Sequence, residues 1–184
     1  MVTKFVTLAA SPKRKLKMKI RPVKHEGMFP KNRYCGPAAI SIISGISTGE
    51  AAKLLRVITG ARAIRGVWTW DLEMALQDLG YDLLPYHSPR HDSVPRYERP
   101  TLARWLRGTK TSRTSGRVFL IIAGNHFQVV SGRRYCCART GKIVSIRDSM
   151  VKRRARVFEA YEVVKCDPTP NDFNNWNDIK RGYA

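Results

Sequence analysis

Three side chains of this sequence have the types that nucleophilic catalysis requires. Cys35 stands where a polar stretch turns into the apolar, helix-compatible run Ala38-Ala39-Ile40, so its thiol is expected in or just before a helix's first turn. The unpaired N–H groups and the dipole at a helix N-terminus stabilise anions, which favours the nucleophilic thiolate. His126 follows Gly124-Asn125 at the start of a predicted strand and is a candidate general base. Asp148, at the end of a later strand, is a candidate to orient the imidazole.

Each of these residues also has a structural interpretation. Cys35 can be one more small buried residue, His126 a strand-end histidine satisfied by a neighbour, and Asp148 a commonplace turn aspartate. The ordered set favours a catalytic site, because it puts a cysteine at a helix start and the other two residues on successive strands of an antiparallel sheet.

The elements that must position these residues are helices in the first half and strands in the second. Helices are predicted over residues 36–46, 51–57, 69–79 and 101–107, with a Ser/Thr-rich basic loop over 108–116. Gly45 or the turn after it is expected to end the first helix, Ser47 and Glu50 have the spacing of a capping box before the second, and Thr69 is expected to cap the third. Strands are predicted over residues 81–86, 118–123, 126–130, 135–138, 142–148 and 160–164. The continuous apolar run over 118–123 is typical of a central strand. Short strands joined by tight turns indicate an antiparallel meander, and helices followed by a sheet indicate an α+β domain.

The charge of the chain points to a polyanionic partner. Its 184 residues include 34 Lys and Arg against 14 Asp and Glu, a formal net charge of +20. We expect a basic N-terminal arm over 1–30, one domain over 31–166 and a tail over 167–184. The candidate contacts to nucleic acid are Lys13, Arg14, Lys15, Lys17, Lys19, Arg21, Lys152, Arg153, Arg154 and Arg156. The alternative for the arm is a solvated, disordered basic tail.

The cysteine spacing and the hydropathy of the chain indicate its cellular compartment. Four cysteines without a Cys-x-x-Cys pair indicate neither a disulfide framework nor zinc, and no metal or cofactor is predicted. No stretch has the length of a membrane span, and the N-terminus lacks the pattern of a signal peptide. The sequence therefore predicts a protein of the cytoplasm or of a virion interior, without a membrane partner.

Three motifs resemble papain-like cysteine peptidases, in particular the double-glycine leader peptidase and related bacterial and phage domains. They cover roughly residues 31 to 148 and read Tyr34-Cys35-Gly36-Pro37-Ala38-Ala39, Gly66-Val67-Trp68-Thr69-Trp70-Asp71-Leu72 with Leu79-Gly80-Tyr81, and Asn125-His126-Phe127-Gln128-Val129-Val130-Ser131-Gly132 with Ile146-Arg147-Asp148. The resemblance implies a papain-like fold with Cys35 as nucleophile, His126 as base and Asp148 as its orienter. The family usually carries a glutamine before the cysteine to hold the oxyanion; here Asn32 is the nearest amide side chain. Ser149 stands where the family commonly has proline after the aspartate.

Two functions follow from these observations. One is a cysteine peptidase that cleaves a peptide or isopeptide bond of a polypeptide substrate, within a nucleoprotein or phage assembly. The alternative is a catalytically weak or inactive virion structural protein of the same fold, which binds nucleic acid or acidic partners through its basic surface. An acyltransferase or deamidase that uses the same cysteine and histidine fits the sequence equally well.

Overall fold

The computed structural model describes residues 18–25, 34–86 and 94–166 of the chain. Its helices are α1 (Cys35–Ser44), α2 (Thr48–Thr59), α3 (Thr69–Asp78), α4 (Leu102–Gly108) and α5 (Lys110–Thr114). Its strands are β1 (Tyr81–Pro85), β2 (Val118–Ala123), β3 (Phe127–Ser131), β4 (Arg134–Cys137), β5 (Val144–Ser145) and β6 (Val157–Lys165). The expected α+β class is confirmed.

The six strands form a single sheet in the order β1-β6-β2-β3-β4-β5. Every neighbouring pair is antiparallel. The predicted meander describes β2 to β5, which follow one another along the chain and across the sheet. The last strand, β6, departs from it, because it returns to pair with both β2 and β1.

Helices cover both faces of the sheet. The central strand β2 alternates between them: Val118 and Leu120 pack with α1, α2 and α3, whereas Phe119 and Ile121 pack with α4. All four side chains are buried. The continuous apolar run that predicted a central strand is therefore explained by burial on both sides.

Local sequence signals set the ends of the first helices. Gly45, in the left-handed region with φ 87°, ends α1 and donates its N–H to the Ser41 carbonyl. The predicted capping box before α2 is confirmed, because the Glu50 N–H donates to Ser47 Oγ (3.1 Å) and the Ser47 N–H donates to the Glu50 carboxylate (2.8 Å). The cap predicted at Thr69 is wrong: its hydroxyl donates to a β6 carboxylate instead.

The loop predicted over 108–116 contains the short helix α5, which a buried arginine holds in place. The Arg113 guanidinium donates to the carbonyls of Leu106 and Gly132 and to Thr109 Oγ1. Burial lowers the pKa of Arg113 from its usual value, yet three oxygen acceptors compensate for the lost hydration. This side chain therefore ties α4 and α5 to the turn between β3 and β4.

Residues 18–25, the described part of the predicted N-terminal arm, pack against the domain. Ile20 and Val23 are buried in the cluster around α1. Backbone bonds fix the segment, from the Arg21 N–H to the Ile42 carbonyl (3.1 Å) and from the Val23 N–H to the Gly141 carbonyl (2.9 Å).

Two further predictions concern the two ends of the chain and the absence of a membrane span. Lys13, Arg14, Lys15 and Lys17 of the arm, and the whole predicted tail, lie outside the described residues. In the described ranges, no helix is long and apolar enough to cross a membrane.

Candidate functional site

Cys35 is the first residue of α1 and is half-buried. The preceding residue, Tyr34, makes no side-chain cap, and the first backbone bond of the helix runs from the Ala38 N–H to the Tyr34 carbonyl (3.4 Å). Pro37 fits in this first turn, since a proline there gives up an N–H that has no partner within the helix. The structure thus places the thiol at a helix N-terminus, as the sequence predicted.

The other three thiols have different surroundings. Cys136 and Cys137 are buried on opposite faces of the sheet. Burial is the main cause that raises the pKa of the Cys136 thiol to about 11. The thiol of Cys166 donates to the Asp82 carboxylate (2.8 Å). Of the four cysteines, Cys35 alone combines a helix N-terminus with partial exposure.

Gly36 lets the start of α1 lie close to the segment before α3. A Cβ on Gly36 would lie 2.5 Å from Val67 Cγ2, so a larger residue would force the two segments apart. At the start of α3, the Thr69 hydroxyl donates to the Glu159 carboxylate (2.8 Å), and Glu159 lies opposite Ile122 in the sheet. These contacts place Cys35 at the end of the sheet where β2 finishes.

His126 lies at this same end, in the turn that joins β2 to β3. The two residues between Ala123 and His126 have positive φ, 58° at Gly124 and 55° at Asn125, and the Ala123 N–H donates to the His126 carbonyl (3.1 Å). Glycine and asparagine are the residues that tolerate such angles most readily, which explains the tight turn. The sequence predicts His126 as the first residue of this strand, whereas β3 begins one residue later, at Phe127.

The imidazole of His126 lies in a shielded and positively charged environment. Its Nε2 is buried and has no hydrogen-bond partner among the residues that the structure describes. Burial, followed by the nearby charges of Arg139 and Lys152, lowers the pKa of His126 to about 4. The ring is therefore neutral at pH 7 and can accept a proton, while its charged form is disfavoured.

The structure brings Cys35 and His126 to one end of the sheet without joining them. Ala123, which lies opposite His126 in the hairpin, belongs to the cluster beneath α4, so the backbone directs the His126 side chain toward the α4 face of the sheet. Cys35 contacts the cluster beneath α1. In the described ranges no hydrogen bond links the two side chains. Catalytic hydrogen bonds are often long or misaligned before substrate binds. Here a bond between the two side chains would form only if the imidazole moved toward the α1 side of the sheet.

Asp148 lies in a turn after β5. Its N–H donates to the Ser145 carbonyl (2.9 Å) and its carboxylate accepts from the Met150 N–H (2.9 Å). The strand predicted over 142–148 is reduced to β5, which pairs with β4, so β4 lies between Asp148's strand and β3. The observed contacts are those of a turn aspartate; a contact with the His126 ring is not among the hydrogen bonds of the described residues.

Asn32, the predicted oxyanion donor, lies outside the described residues. No protein-family model and no curated protein matches this chain.

A basic surface follows the outer part of the sheet, and two of its cations, Arg139 and Lys152, lie near His126. It extends from the turn between β3 and β4 to the segment after β5, and we call it the basic edge. Between Gly132 and Ala155, all eight Lys and Arg side chains are exposed and Asp148 is the single acidic residue. The basic edge comprises Arg133, Arg134, Arg139, Lys142, Arg147, Lys152, Arg153 and Arg154.

The sequence predicts only part of this surface. Its candidate contacts include Lys152, Arg153 and Arg154, and also Lys19 and Arg21, and all five are exposed. The Arg21 guanidinium also donates to the Ser44 carbonyl, and the half-buried Arg156 donates to the Arg99 carbonyl (2.6 Å), so both have structural partners. The other five cations of the basic edge are scattered along the chain, and a charge count over the whole segment would have revealed them.

The shielded imidazole predicts a pH dependence of folding stability. Because the pKa of His126 falls from 6.5 to about 4 on folding, the unfolded chain binds more protons between these values. The stability that the folded protein has while His126 is neutral is fully present above pH 6.5. It falls by at most about 3 kcal/mol as the pH falls toward 4. Urea unfolding at about pH 7 and about pH 4.5 is expected to show a smaller loss of stability in His126→Gln than in the wild type.

The comparison with the variant is needed because Glu73 acts in the opposite direction. Burial, then the charges of Asp82 and Glu159, raise the pKa of Glu73, which favours the folded state at low pH. Equal losses in the wild type and His126→Gln would contradict the shielding of the imidazole.

Proposed function

We propose that this chain is a papain-like cysteine hydrolase that cleaves a peptide or isopeptide bond within a nucleoprotein or phage assembly. The observation that carries the proposal is the position of Cys35, a partly exposed thiol at the start of a helix that packs across β3 and β4. Support comes also from the resemblance of the three motifs and from the α+β arrangement, in which the N-terminus of α1 and the turn that carries His126 lie at one end of the sheet, on its two faces.

In the proposed reaction the Cys35 sulfur attacks the carbonyl carbon of the scissile bond. His126 takes the thiol proton and returns it to the leaving amine as the C–N bond breaks, leaving a thioester on Cys35. A water molecule then hydrolyses the thioester and restores the thiol. The N–H of Cys35 and the amide of Asn32 are the proposed donors to the oxyanion, and Asp148 is the proposed orienter of the imidazole.

The low pKa of His126 determines when the thiol proton moves in this reaction. A neutral imidazole cannot hold a resting thiolate as an ion pair, so the proton moves during the attack on substrate. The acid limit of the activity then follows the low pKa of His126 instead of the ordinary value near 6.5.

The test is incubation of the full chain with a peptide library, with new termini identified by mass spectrometry. Cleavage is expected at about pH 7 and is expected to persist down to about pH 5, where His126 remains neutral. The absence of new termini at every pH between about 5 and 8 would overturn the hydrolase proposal. Activity that falls with a midpoint near 6.5 would remove His126 from the role of base.

The basic edge favours a second function, the binding of nucleic acid through its phosphates. Eight exposed cations with a single acidic residue among them give the basic edge a strong positive field. Cleavage of a peptide bond does not require such a surface. We propose phosphate-backbone binding as the alternative function, and the two are compatible in a hydrolase that is packaged with a genome.

A further inference from the structure

Two tryptophans at the start of α3 are exposed to an extent unusual for this residue. Trp68 is 73% exposed and Trp70 is 59% exposed, whereas Trp105, on the other face of the sheet, is 4% exposed. Tryptophan is normally buried for most of its surface, so two exposed indoles only two residues apart in the chain indicate a surface that receives a ligand.

The chain that leads to these indoles carries only positive charge. Between residues 51 and 70 there is no acidic residue, and the four cations are Lys53, Arg56, Arg62 and Arg65. Arg62 and Arg65 are both exposed and lie in the loop between α2 and α3. Two guanidinium groups thus precede two indoles within nine residues, a combination that offers both charge and flat apolar surface.

We propose that Trp68 and Trp70 form a stacking platform for the bases of a single-stranded nucleic acid, whose phosphates Arg62 and Arg65 hold. Unpaired bases present their flat faces, and these stack on aromatic side chains with little dependence on sequence. A double helix hides the same faces, so the platform distinguishes single strands from duplexes. The net charge of +20 favours a polyanion over an apolar peptide on this surface.

This platform is separate from the basic edge. Helix α3 packs on β1, and its Thr69 contacts Glu159 of β6, whereas the cations from Arg133 to Arg147 follow β4 and β5 at the far edge of the sheet. The other cations of the basic edge lie beside the start of α4, where the Ala103 N–H donates to the Arg153 carbonyl, on the face of the sheet opposite α3. Glu73 and Glu159 lie on the side of α3 that faces β1 and β6, so the phosphates are expected on the side of the Arg62 loop. The inference does not depend on hydrolase activity.

The experiment measures the fluorescence anisotropy of a labelled thymidine dodecamer, as a single strand and as a duplex, with the full chain. Trp68→Ala and Trp70→Ala are each expected to weaken single-strand binding about 10-fold and to leave duplex binding unchanged. Trp68→Phe and Trp70→Phe, which retain an aromatic face, are expected to restore most of the affinity. Replacing Arg62 and Arg65 by glutamine is expected to lower the slope of log affinity against log salt by about 1.4.

Tyr97→Ala is the matched control, because Tyr97 is an aromatic residue 72% exposed and outside the platform. It is expected to change neither binding. Wild-type single-strand affinity in the doubly substituted Trp68→Ala, Trp70→Ala protein would overturn the proposal. Equal losses for single strand and duplex would also overturn it, because stacking would then not be involved. Loss of peptide cleavage with intact single-strand binding would assign the platform to a peptide and overturn it likewise.

Discussion

Cys35→Ala is expected to abolish peptide cleavage, with a loss of about 10⁴-fold or more in rate, because removal of a nucleophile leaves only weak residual catalysis. The substitution removes a single sulfur from a half-buried site at a helix start, where alanine is well tolerated. Folding is therefore expected to survive, and far-ultraviolet circular dichroism and thermal unfolding check this. Cleavage is measured as the rate at which new peptide termini appear.

Cys166→Ala is the matched control for this prediction. It removes another half-buried thiol, one that donates to Asp82 instead of lying at a helix start, and cleavage is expected to continue. His126→Asn is expected to lower the rate about 10²- to 10⁴-fold, and adding it to Cys35→Ala is expected to cause no further loss, because the two groups act in one step. Undiminished cleavage by Cys35→Ala would contradict the proposed mechanism.

Nucleic-acid binding by the basic edge is expected to weaken steeply with salt. If its eight exposed cations neutralise between six and eight phosphates, affinity for duplex DNA should fall about 10³-fold or more between about 50 and 200 mM salt. The physical cause is the release of condensed counterions, which becomes less favourable as the salt concentration rises. Anisotropy titrations of a labelled duplex at several salt concentrations give the slope.

Substitutions within the basic edge then locate the contact. Replacing Arg133 and Arg134 by glutamine is expected to reduce the slope by about 2, one unit for each lost phosphate contact. Lys165→Gln is the control, since Lys165 is an exposed cation at the end of β6, opposite Tyr81 of β1 and at the other edge of the sheet from β4 and β5. Binding that does not change with salt would contradict the proposed interface, as would equal losses in the control.

The parts of the fold that the sequence predicted are those set by local rules. The end of α1 at Gly45 and the capping box before α2 depend on residues that lie next to the elements they end or begin. The central position of β2 follows from its uninterrupted apolar run. In each case the physical cause lies within a few residues of the pattern that reveals it.

The parts that the sequence did not predict depend on distant contacts. Strand β6 pairs with β2 and β1 across gaps of dozens of residues, and no local pattern encodes that partner. Helix α5 forms in a stretch rich in Ser and Thr because Arg113 binds carbonyls outside it. Tertiary hydrogen bonds thus stabilise a helix in a segment whose residues have low helix propensity.

The candidate site likewise has features that the local sequence predicts and features that arise only in the folded chain. The sequence predicts the helix-start position of Cys35, and it places His126 within one residue of the start of β3. The shielding of His126 was not, because the charges of Arg139 and Lys152 reach it only in the folded chain. Asp148 was predicted on a strand long enough to approach the histidine, yet β5 ends at Ser145 and the carboxylate binds the next turn.

The rate at which iodoacetamide alkylates each cysteine of the folded chain tests most directly whether Cys35 is a nucleophile. At about pH 7, with modified peptides quantified by mass spectrometry, Cys35 is expected to react faster than Cys166. The buried Cys136 and Cys137 are expected to react only after denaturant is added. A Cys35 that reacts no faster than Cys166 would contradict the account.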